Sequence, residues 1–365
     1  MNALRQLGSH SVKVLLFLAI VAPDSARAQQ PNTYAQAQEA FASKHFREAV
    51  ALFAVAAAAE QGMPLTSHTD ALLMQAESLF NLDQSAAAEP VLHSYLEQNP
   101  KSSPALYLLG YVLQRQNRPQ ESLEVFSRAA AITTPRPEDL RLVALDYVLL
   151  DDYVDAVHWL RRCLAADPDS AEAWYDLGRA QMYEGNFVES ERDFKRTLAI
   201  NPTSAKALDN LGLSFEAQNR TEDALTAYSS AISAQAKTQH PSEQPLLNFG
   251  ALLNSKNRFA EAIAPLQKAV TLAPSSSRCH EELSRAYAGA HQEDLAREQM
   301  EQAIALDPEN PRLHFQLGQM CRRAGFTNRS QIELKKSAEL YSTHSSTTEV
   351  DRNRPKATIR DAEIR

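Results

Sequence analysis

A 34-residue period is the feature that most constrains the fold of this chain. Within the segment 171–204, Trp174, Leu177, Gly178, Phe194 and Pro202 occupy places 4, 7, 8, 24 and 32 of one unit. Similar residues recur at these places along the chain, in units that begin near residues 30, 69, 103, 137, 171, 205, 243, 277 and 311. Because self-similarity at this period is typical of stacked repeats, the sequence predicts one long array.

Each unit has the spacing of a helical hairpin. Places 4, 7 and 11 share one face of a first helix, and places 20, 24 and 27 share one face of a second. Small residues at places 8 and 20 let the two helices approach closely, and proline at place 32 ends the second helix. Since one hairpin leaves an apolar face uncovered, neighbouring hairpins are expected to stack. The low glycine content, 10 of 365 residues, also favours helix.

Some units depart from the regular pattern. The first interval is 39 residues and the sixth is 38, with the extra residues at 63–67 and 236–241, which we expect to form loops between units. The first unit is recognised mainly through Ala49, Phe53 and Ala56. The second helix of the last unit is polar, which is typical of a terminal cap that faces water. The residues that make it polar are Gln331, Glu333, Lys335, Lys336 and Glu339.

The places and residue types resemble the tetratricopeptide repeat (TPR) over roughly residues 30 to 342. The resemblance implies an all-α fold, a right-handed superhelical solenoid of about nine helix-turn-helix repeats. We therefore expect a repeat array over residues 29–342, and a disordered tail over residues 343–365, where apolar periodicity ends. The resemblance also implies that the first helices line a concave groove in which partners bind.

In the resembled family, places 2, 5, 9, 12 and 13 of each first helix face the groove. These places predict a partner-binding ridge, because tyrosine and arginine are enriched at interface hot spots. The ridge consists of Tyr107, Tyr111, Arg141, Tyr175, Arg179 and Tyr183. The alternative is that individual tyrosines pack between neighbouring repeats. The carboxylate clamp of chaperone-binding members is disfavoured, because Asn210 and Asn248 at place 6 follow units that lack the required Lys and Asn.

Residues 1–28 have the pattern of a signal peptide. Arg5 and Lys13 precede an apolar run at 14–22, and small residues at Ala26 and Ala28 form a cleavage pattern. Nine apolar residues rise about 13 Å as a helix, which is too short to span a bilayer of roughly 30 Å. We therefore expect cleavage after Ala28, export to the periplasm or the exterior, and no stable membrane anchor in the mature chain.

The sequence offers no motif for catalysis or for a cofactor. It contains no HExxH, no glycine-rich phosphate loop and no GxSxG. We therefore expect that the protein is not an enzyme and binds no cofactor. His280 and His314 at place 4 of successive units, with Cys279, are residue types that bind zinc. Place 4 is ordinarily a packing position, so the packing interpretation is favoured and no metal site is predicted. A net charge of −8 argues against nucleic acid as a partner.

The sequence thus predicts an exported adaptor or scaffold that holds protein or peptide segments in the groove of a TPR superhelix. The alternative is an envelope scaffold that binds carbohydrate or cell-wall material, since tyrosine rings also suit sugars. The sequence does not indicate the identity of the partner or the oligomeric state.

Overall fold

A computed structural model describes residues 33–58, 65–236 and 238–347, and within these ranges every regular element is an α-helix. The signal-peptide prediction for residues 1–28 lies outside the described residues. The helices are α1 (Thr33–Ala42), α2 (Phe46–Ala58), α3 (Leu65–Asn81), α4 (Ser85–Gln98), α5 (Ser103–Arg115), α6 (Pro119–Ala130), α7 (Pro137–Leu149), α8 (Tyr153–Ala166), α9 (Ala171–Tyr183), α10 (Phe187–Ile200), α11 (Ala205–Ala217), α12 (Thr221–Gln235), α13 (Gln244–Ser255), α14 (Phe259–Leu272), α15 (Ser277–Gly289), α16 (Glu293–Leu306), α17 (Pro311–Arg323) and α18 (Thr327–Thr347). The predicted all-α class is confirmed.

The chain forms two compact units. The first ends at Gln98 and contains α1 to α4, and the second begins at Asn99 and contains α5 to α18. In each unit the helices follow one another as packed hairpins, and every hairpin corresponds to one sequence repeat. From α5 onward, the first helix of each hairpin begins within one residue of the predicted start of its unit.

The two predicted insertions differ in structure. The described residues of the second insertion, 236 and 238–241, lie between the end of α12 at Gln235 and the start of α13 at Gln244, as expected for a loop. The helix α3, however, begins at Leu65, so residues 65–67 of the other insertion extend a helix.

Small residues at place 8 allow close contact inside the hairpins. A Cβ atom added to Gly178 would lie 2.8 Å from the ring of Phe194, and one added to Gly212 would lie 2.4 Å from the ring of Tyr228. Both rings stand at place 24 of the same units and are fully buried. The sequence-based assignment of these places to the helix–helix interface agrees with these contacts.

A residue with positive φ reverses the chain in every hairpin. It always stands at place 15, between the first and second helices, with φ between 58° and 83°. A left-handed residue is a common way to end a helix, because its amide can satisfy carbonyl groups of the last turn. These residues are Lys44, Asp83, Asn117, Asp151, Gly185, Asn219, Asn257, His291 and Gly325.

The final hairpin differs from the expected water-facing cap. Glu333 is buried, and its Oε2 lies 2.7 Å from Nδ1 of His314. Its Oε1 forms an ion pair with Nε of Arg329, at 2.7 Å. Ile332, next to it, is 63% exposed. The polar sequence of α18 therefore includes a buried polar contact with α17 in addition to residues that face water. The helix continues to Thr347, five residues beyond the predicted boundary of the tail.

Among the described helices, none combines the length and the apolar character that crossing a bilayer requires.

Candidate binding surface on the first helices

Polar contacts connect the first helices of successive repeats in the second unit. In each contact, the side chain at place 5 of one repeat meets the side chain at place 6 of the next repeat. We call these contacts the place 5–6 pairs. They are Arg141 with Asp176 (2.7 Å), Tyr175 with Asn210 (3.3 Å), Asp209 with Asn248 (3.0 Å) and Glu281 with Gln316 (3.0 Å).

The place 5–6 pairs bury three carboxylates at the boundaries between repeats. Asp176 is 5% exposed, Asp209 is 6% exposed and Glu281 is 7% exposed. Burial raises the pKa of Asp209 to about 6, and the hydrogen bond donated by Asn248 partly offsets this rise. Burial also raises the pKa of Asp176, although the guanidinium of Arg141 acts in the opposite direction. The side chains at places 5 and 6 of these repeats therefore contact each other across the boundary between repeats, so fewer of them are available to contact a partner.

This contact changes the interpretation of Arg141, which the sequence places in the binding ridge. Its Nε donates to Oδ2 of the buried Asp176, so the guanidinium is already engaged with a carboxylate of the chain itself. We expect Arg141→Met to lower the free energy of unfolding by about 1–3 kcal/mol, because it leaves Asp176 buried without its cation. Urea denaturation measures this change. Arg128→Met, at an exposed position of α6, is the control and should change stability by less than about 0.5 kcal/mol.

Tyr107 is a packing residue. Its side chain is 7% exposed, its hydroxyl donates to the carbonyl oxygen of Thr133 at 3.2 Å, and its ring lies 6.0 Å from the ring of Phe126. The structure therefore places Tyr107 between the helices of its own hairpin and the following loop. This position agrees with the alternative interpretation, in which individual tyrosines of the predicted ridge are packing residues.

Tyr111 is half-buried and belongs to a polar cluster. Its hydroxyl donates to Oδ1 of Asp139 at 3.0 Å, and Asp139 is fully buried. The guanidinium and the backbone amide of Arg136 also donate to this carboxylate, at 2.9 to 3.1 Å. Burial, and then the negative charge of Asp139, raise the pKa of Tyr111, so its hydroxyl remains a neutral donor. Tyr111 thus supports the start of α7.

The other three predicted residues, Tyr175, Arg179 and Tyr183, lie in one group, in which Tyr175 and Arg179 are partly buried and Tyr183 is exposed. Tyr183 is 53% exposed, and its ring stacks on the ring of Tyr153 with centroids 5.0 Å apart and an interplanar angle of 18°. The guanidinium carbon of Arg179 lies 5.9 Å from the ring centroids of both Tyr175 and Tyr183. Lys206 belongs to the neighbouring helix α11, and its Nζ lies 4.4 Å from the centroid of the Tyr175 ring. We call Tyr153, Tyr175, Arg179, Tyr183 and Lys206 the tyrosine–cation surface.

This surface combines ring faces with two positive charges. Cations beside aromatic rings are attracted by the negative ring faces, and this attraction holds the long side chains in place. Tyrosine and arginine both offer large contact areas with a polar end, which suits binding of a mixed polar and apolar segment. Sequence reasoning missed Tyr153, which stands at place 17, because the groove-facing places considered belong to first helices only. Lys206 stands at place 2, a groove-facing place of the resembled family.

The two histidines considered for metal binding each use both ring nitrogens in contacts within the chain. His280 lies 2.8 Å from Gln299 Oε1 and 3.1 Å from the carbonyl of Pro274, and His314 lies 2.9 Å from the carbonyl of Pro308. Trp174, at the same place 4, donates to the carbonyl of Pro168 at 2.8 Å. The ring at place 4 thus connects to the proline at place 32 of the preceding repeat.

These contacts agree with the packing interpretation of place 4. Across the described ranges, no group of three or more His, Cys, Asp or Glu side chains is arranged to hold a metal ion. The three cysteines are buried as thiols, and burial raises the pKa of Cys163 to about 11. Burial also raises the pKa of Cys279 and of Cys321, and thiols that stay protonated are poor nucleophiles.

Comparisons with known families support the TPR class. A model described as the middle TPR-like domain of cilia and flagella-associated protein 70 matches residues 140–286, and a tetratricopeptide repeat model matches residues 73–137 and 282–325. A tetratricopeptide repeat protein from Parabacteroides merdae has a TM-score of 0.54 at 17% identity, covering 74% of this chain and 98% of that chain. The family models thus match tetratricopeptide repeats over these residues, and the structural likeness concerns the fold.

Relatives named for large assemblies also match. Anaphase-promoting complex subunit 3 from Schizosaccharomyces pombe is 21% identical over 219 residues, which is 60% of this chain and 32% of that protein. A structure of an APC/C hetero-tetramer has a TM-score of 0.51 at 15% identity and covers 85% of this chain and 59% of that chain. The chain thus spans about a third of the length of the curated relative, and the structural likeness concerns the fold. Repeat arrays of this class generally act as scaffolds for protein interactions.

Proposed function

We propose that the protein is an adaptor outside the cytoplasm and that it holds a polypeptide segment against the tyrosine–cation surface. The observation that carries this proposal is the stacked pair of Tyr183 and Tyr153, with Tyr183 more than half exposed and Arg179 beside it. A stacked pair with one exposed ring offers an apolar platform beside a positive charge, and such anchors are typical of interface hot spots. The proposal assigns no catalytic step to the chain.

The location outside the cytoplasm rests on the sequence of residues 1–28, with its charged start, short apolar run and cleavage pattern. Sequencing of the amino terminus of the mature protein from its native host tests this part. A mature chain that begins at Gln29 would support export, whereas a chain that retains residues 1–28 would contradict it.

Variants of the tyrosine–cation surface test the binding part. We expect Arg179→Glu with Tyr183→Ala to weaken binding of a peptide selected from a random displayed library by at least about tenfold, because a ring contact and a cation are lost. Fluorescence anisotropy of the labelled peptide measures the affinity. Tyr341→Ala is the matched control, since Tyr341 is 55% exposed on α18, away from this surface.

Equal binding by the double variant and the control would contradict the proposed position of the site. Tyrosine rings also suit sugar rings, so purified cell-wall fragments are tested on the same variants. Binding of these fragments with the same dependence on Tyr183, without binding of any peptide, would replace the adaptor proposal with that of an envelope scaffold.

A further inference from the structure

The second helices α8 and α10 present a basic face to solvent. The same places carry the same kinds of residue on both helices, spaced four, three and four residues apart, so they lie along one side of each helix. On α8 they are Val154, His158, Arg161 and Ala165, and on α10 they are Val188, Arg192, Lys195 and Ala199. Arg162 and Arg196 lie beside them, and we call this set the α8–α10 basic face.

Several cations of this face are available for a partner. Arg161 and Arg196 are exposed and form no ion pair within the described residues. Lys195 Nζ lies 2.7 Å from Glu191 Oε1, and Arg192 Nε lies 3.5 Å from an oxygen of the buried Asp193. Glu191 and Asp193 thus offset part of the charge of the five positive side chains, and Arg161 and Arg196 keep an excess of positive charge on this face in a chain whose net charge is −8.

The basic character is local to these two helices. The corresponding solvent face of α16 carries Asp294, Glu298 and Glu301, and all three are exposed. The face of α12 carries Glu222 and uncharged hydroxyl side chains. An accumulation of positive charge on two neighbouring repeats creates a local potential that attracts an anionic partner.

The basic face also exposes apolar side chains and borders a cleft. Val154 and Val188 stand at the same place of the two helices and are 69% and 65% exposed. A cleft of about 630 Å³ runs along α8 toward the end of α9, and its polar lining consists of His158, Arg161, Arg162, Gln181, Asn186 and one carboxylate, Glu184. A cleft of this size can accept several side chains of a partner segment.

We propose that the α8–α10 basic face is a second interaction surface, separate from the tyrosine–cation surface, and that it binds an acidic polypeptide segment. Carboxylates of the segment meet Arg161, Arg192 and Arg196, since guanidinium groups bind carboxylates with two parallel hydrogen bonds. Aliphatic side chains of the segment cover Val154 and Val188. A segment that alternates acidic and aliphatic residues matches both features at once.

Two other anionic partners fit less well. A nucleic-acid backbone would satisfy the arginines but offers no aliphatic groups to cover the valines. An anionic membrane surface is favoured by larger apolar and aromatic side chains at the interface, whereas this face exposes only valines. The carboxylates on the corresponding face of α16 would also be repelled by anionic headgroups.

Trp159 provides a direct reporter of binding at this face. The side chain is buried in α8, the guanidinium of Arg162 lies 4.3 Å above its ring, and the ring of His158 lies 5.6 Å away. The chain contains two tryptophans, so Trp174→Phe leaves Trp159 as the sole emitter. A ligand that moves Arg162 is expected to change the emission of Trp159.

The experiment titrates full-length Trp174→Phe protein with a synthetic peptide of repeating Glu-Glu-Leu-Ala units and follows Trp159 emission. We expect saturable binding that weakens with added salt, and none with a Lys-Lys-Leu-Ala peptide. Arg161→Glu with Arg196→Glu should weaken binding at least about tenfold. The matched control, Arg128→Glu with Lys268→Glu, reverses two exposed charges on α6 and α14 and should stay within about twofold.

The outcomes separate this proposal from its competitors. No binding of the acidic peptide, or an equal loss in the control variant, would overturn it. Loss of acidic-peptide binding in the Arg179→Glu, Tyr183→Ala variant would instead place the acidic segment on the tyrosine–cation surface. If the peptide did not bind but the protein bound phosphatidylglycerol vesicles in a way that required Arg161 and Arg196, the occupant would be a membrane. If instead sedimentation showed self-association that required these arginines, the occupant would be a second copy of the chain. Circular dichroism verifies that each variant is folded.

Discussion

Replacing Phe194 with alanine is expected to lower the free energy of unfolding by about 3–5 kcal/mol. The ring is fully buried, lies 5.8 Å from the ring of Tyr175 and packs directly against Gly178. Its removal leaves a cavity in the middle of the hairpin of α9 and α10, where the helix backbones cannot collapse without breaking contacts to both neighbouring repeats. Urea denaturation followed by circular dichroism measures the loss.

The repeats themselves supply a control that separates cavity formation from loss of a specific fit. Two other repeats pair alanine at place 8 with leucine at place 24, as Ala76 with Leu92 and Ala144 with Leu160, all of them buried. Gly178→Ala alone should destabilise, because its Cβ atom would lie 2.8 Å from the ring of Phe194. Combined with Phe194→Leu it recreates the pair of those repeats. The double variant should therefore be more stable than the sum of the single changes implies, by about 0.5–3 kcal/mol. Strict additivity would contradict this account of the hairpin.

The helical hairpins could be predicted from the sequence because their packing depends on residues close together in the chain. The pairing of Gly178 with Phe194 follows from the spacing of places 8 and 24, which one repeat contains entirely. The positive φ at place 15 could also have been found, since Asn, Asp or Gly stands there in most units. Lys44 adopts the same conformation without being a favoured residue type, because the flanking helices fix the turn.

The candidate site was less predictable because it depends on how one repeat is staggered against the next. Places 5 and 9 define a face of the first helix, yet spacing alone does not show which side chains a neighbouring repeat covers. Arg141 is drawn into a contact with Asp176, 35 residues later, whereas Arg179 lies beside exposed rings. Tyr153 joins the surface from the start of a second helix. Such contacts follow from the three-dimensional packing of repeats and have no local sequence signal.

Buried carboxylates recur where the repeats meet, and they make the stability of the fold depend on pH. Both carboxylate oxygens of Asp146 lack a hydrogen-bond partner within the described residues, and the side chain is fully buried. Ser122 and Gln114 lie close and lower its pKa, but they donate their hydrogen bonds to the carbonyls of Gly110 and Leu142. Burial prevails and raises the pKa of Asp146 from 3.8 to about 7.

Asp146→Asn is therefore expected to stabilise the protein at pH 8. Because the folded-state pKa of Asp146 lies above its unfolded value, the folded state holds a proton that the unfolded state releases between about pH 4 and pH 7. The free energy of unfolding consequently falls as the pH rises through this window, by up to about 4 kcal/mol for three pKa units. An uncharged amide avoids this loss, so the variant should gain up to that amount at pH 8 and little at pH 4. Urea denaturation at both pH values measures the difference.

Asp139→Asn is the matched control, because it makes the same substitution on the same helix at another fully buried carboxylate. Asp139 accepts hydrogen bonds from Tyr111 and from the guanidinium and amide of Arg136. An amide there removes the charge that faces Arg136, so we expect a loss of about 1–3 kcal/mol at pH 8. Opposite signs for the two substitutions would show that the surroundings of each carboxylate, and not its burial alone, determine its contribution. A destabilised Asp146→Asn variant at pH 8 would mean that the carboxylate at this position stabilises the fold in its ionised form.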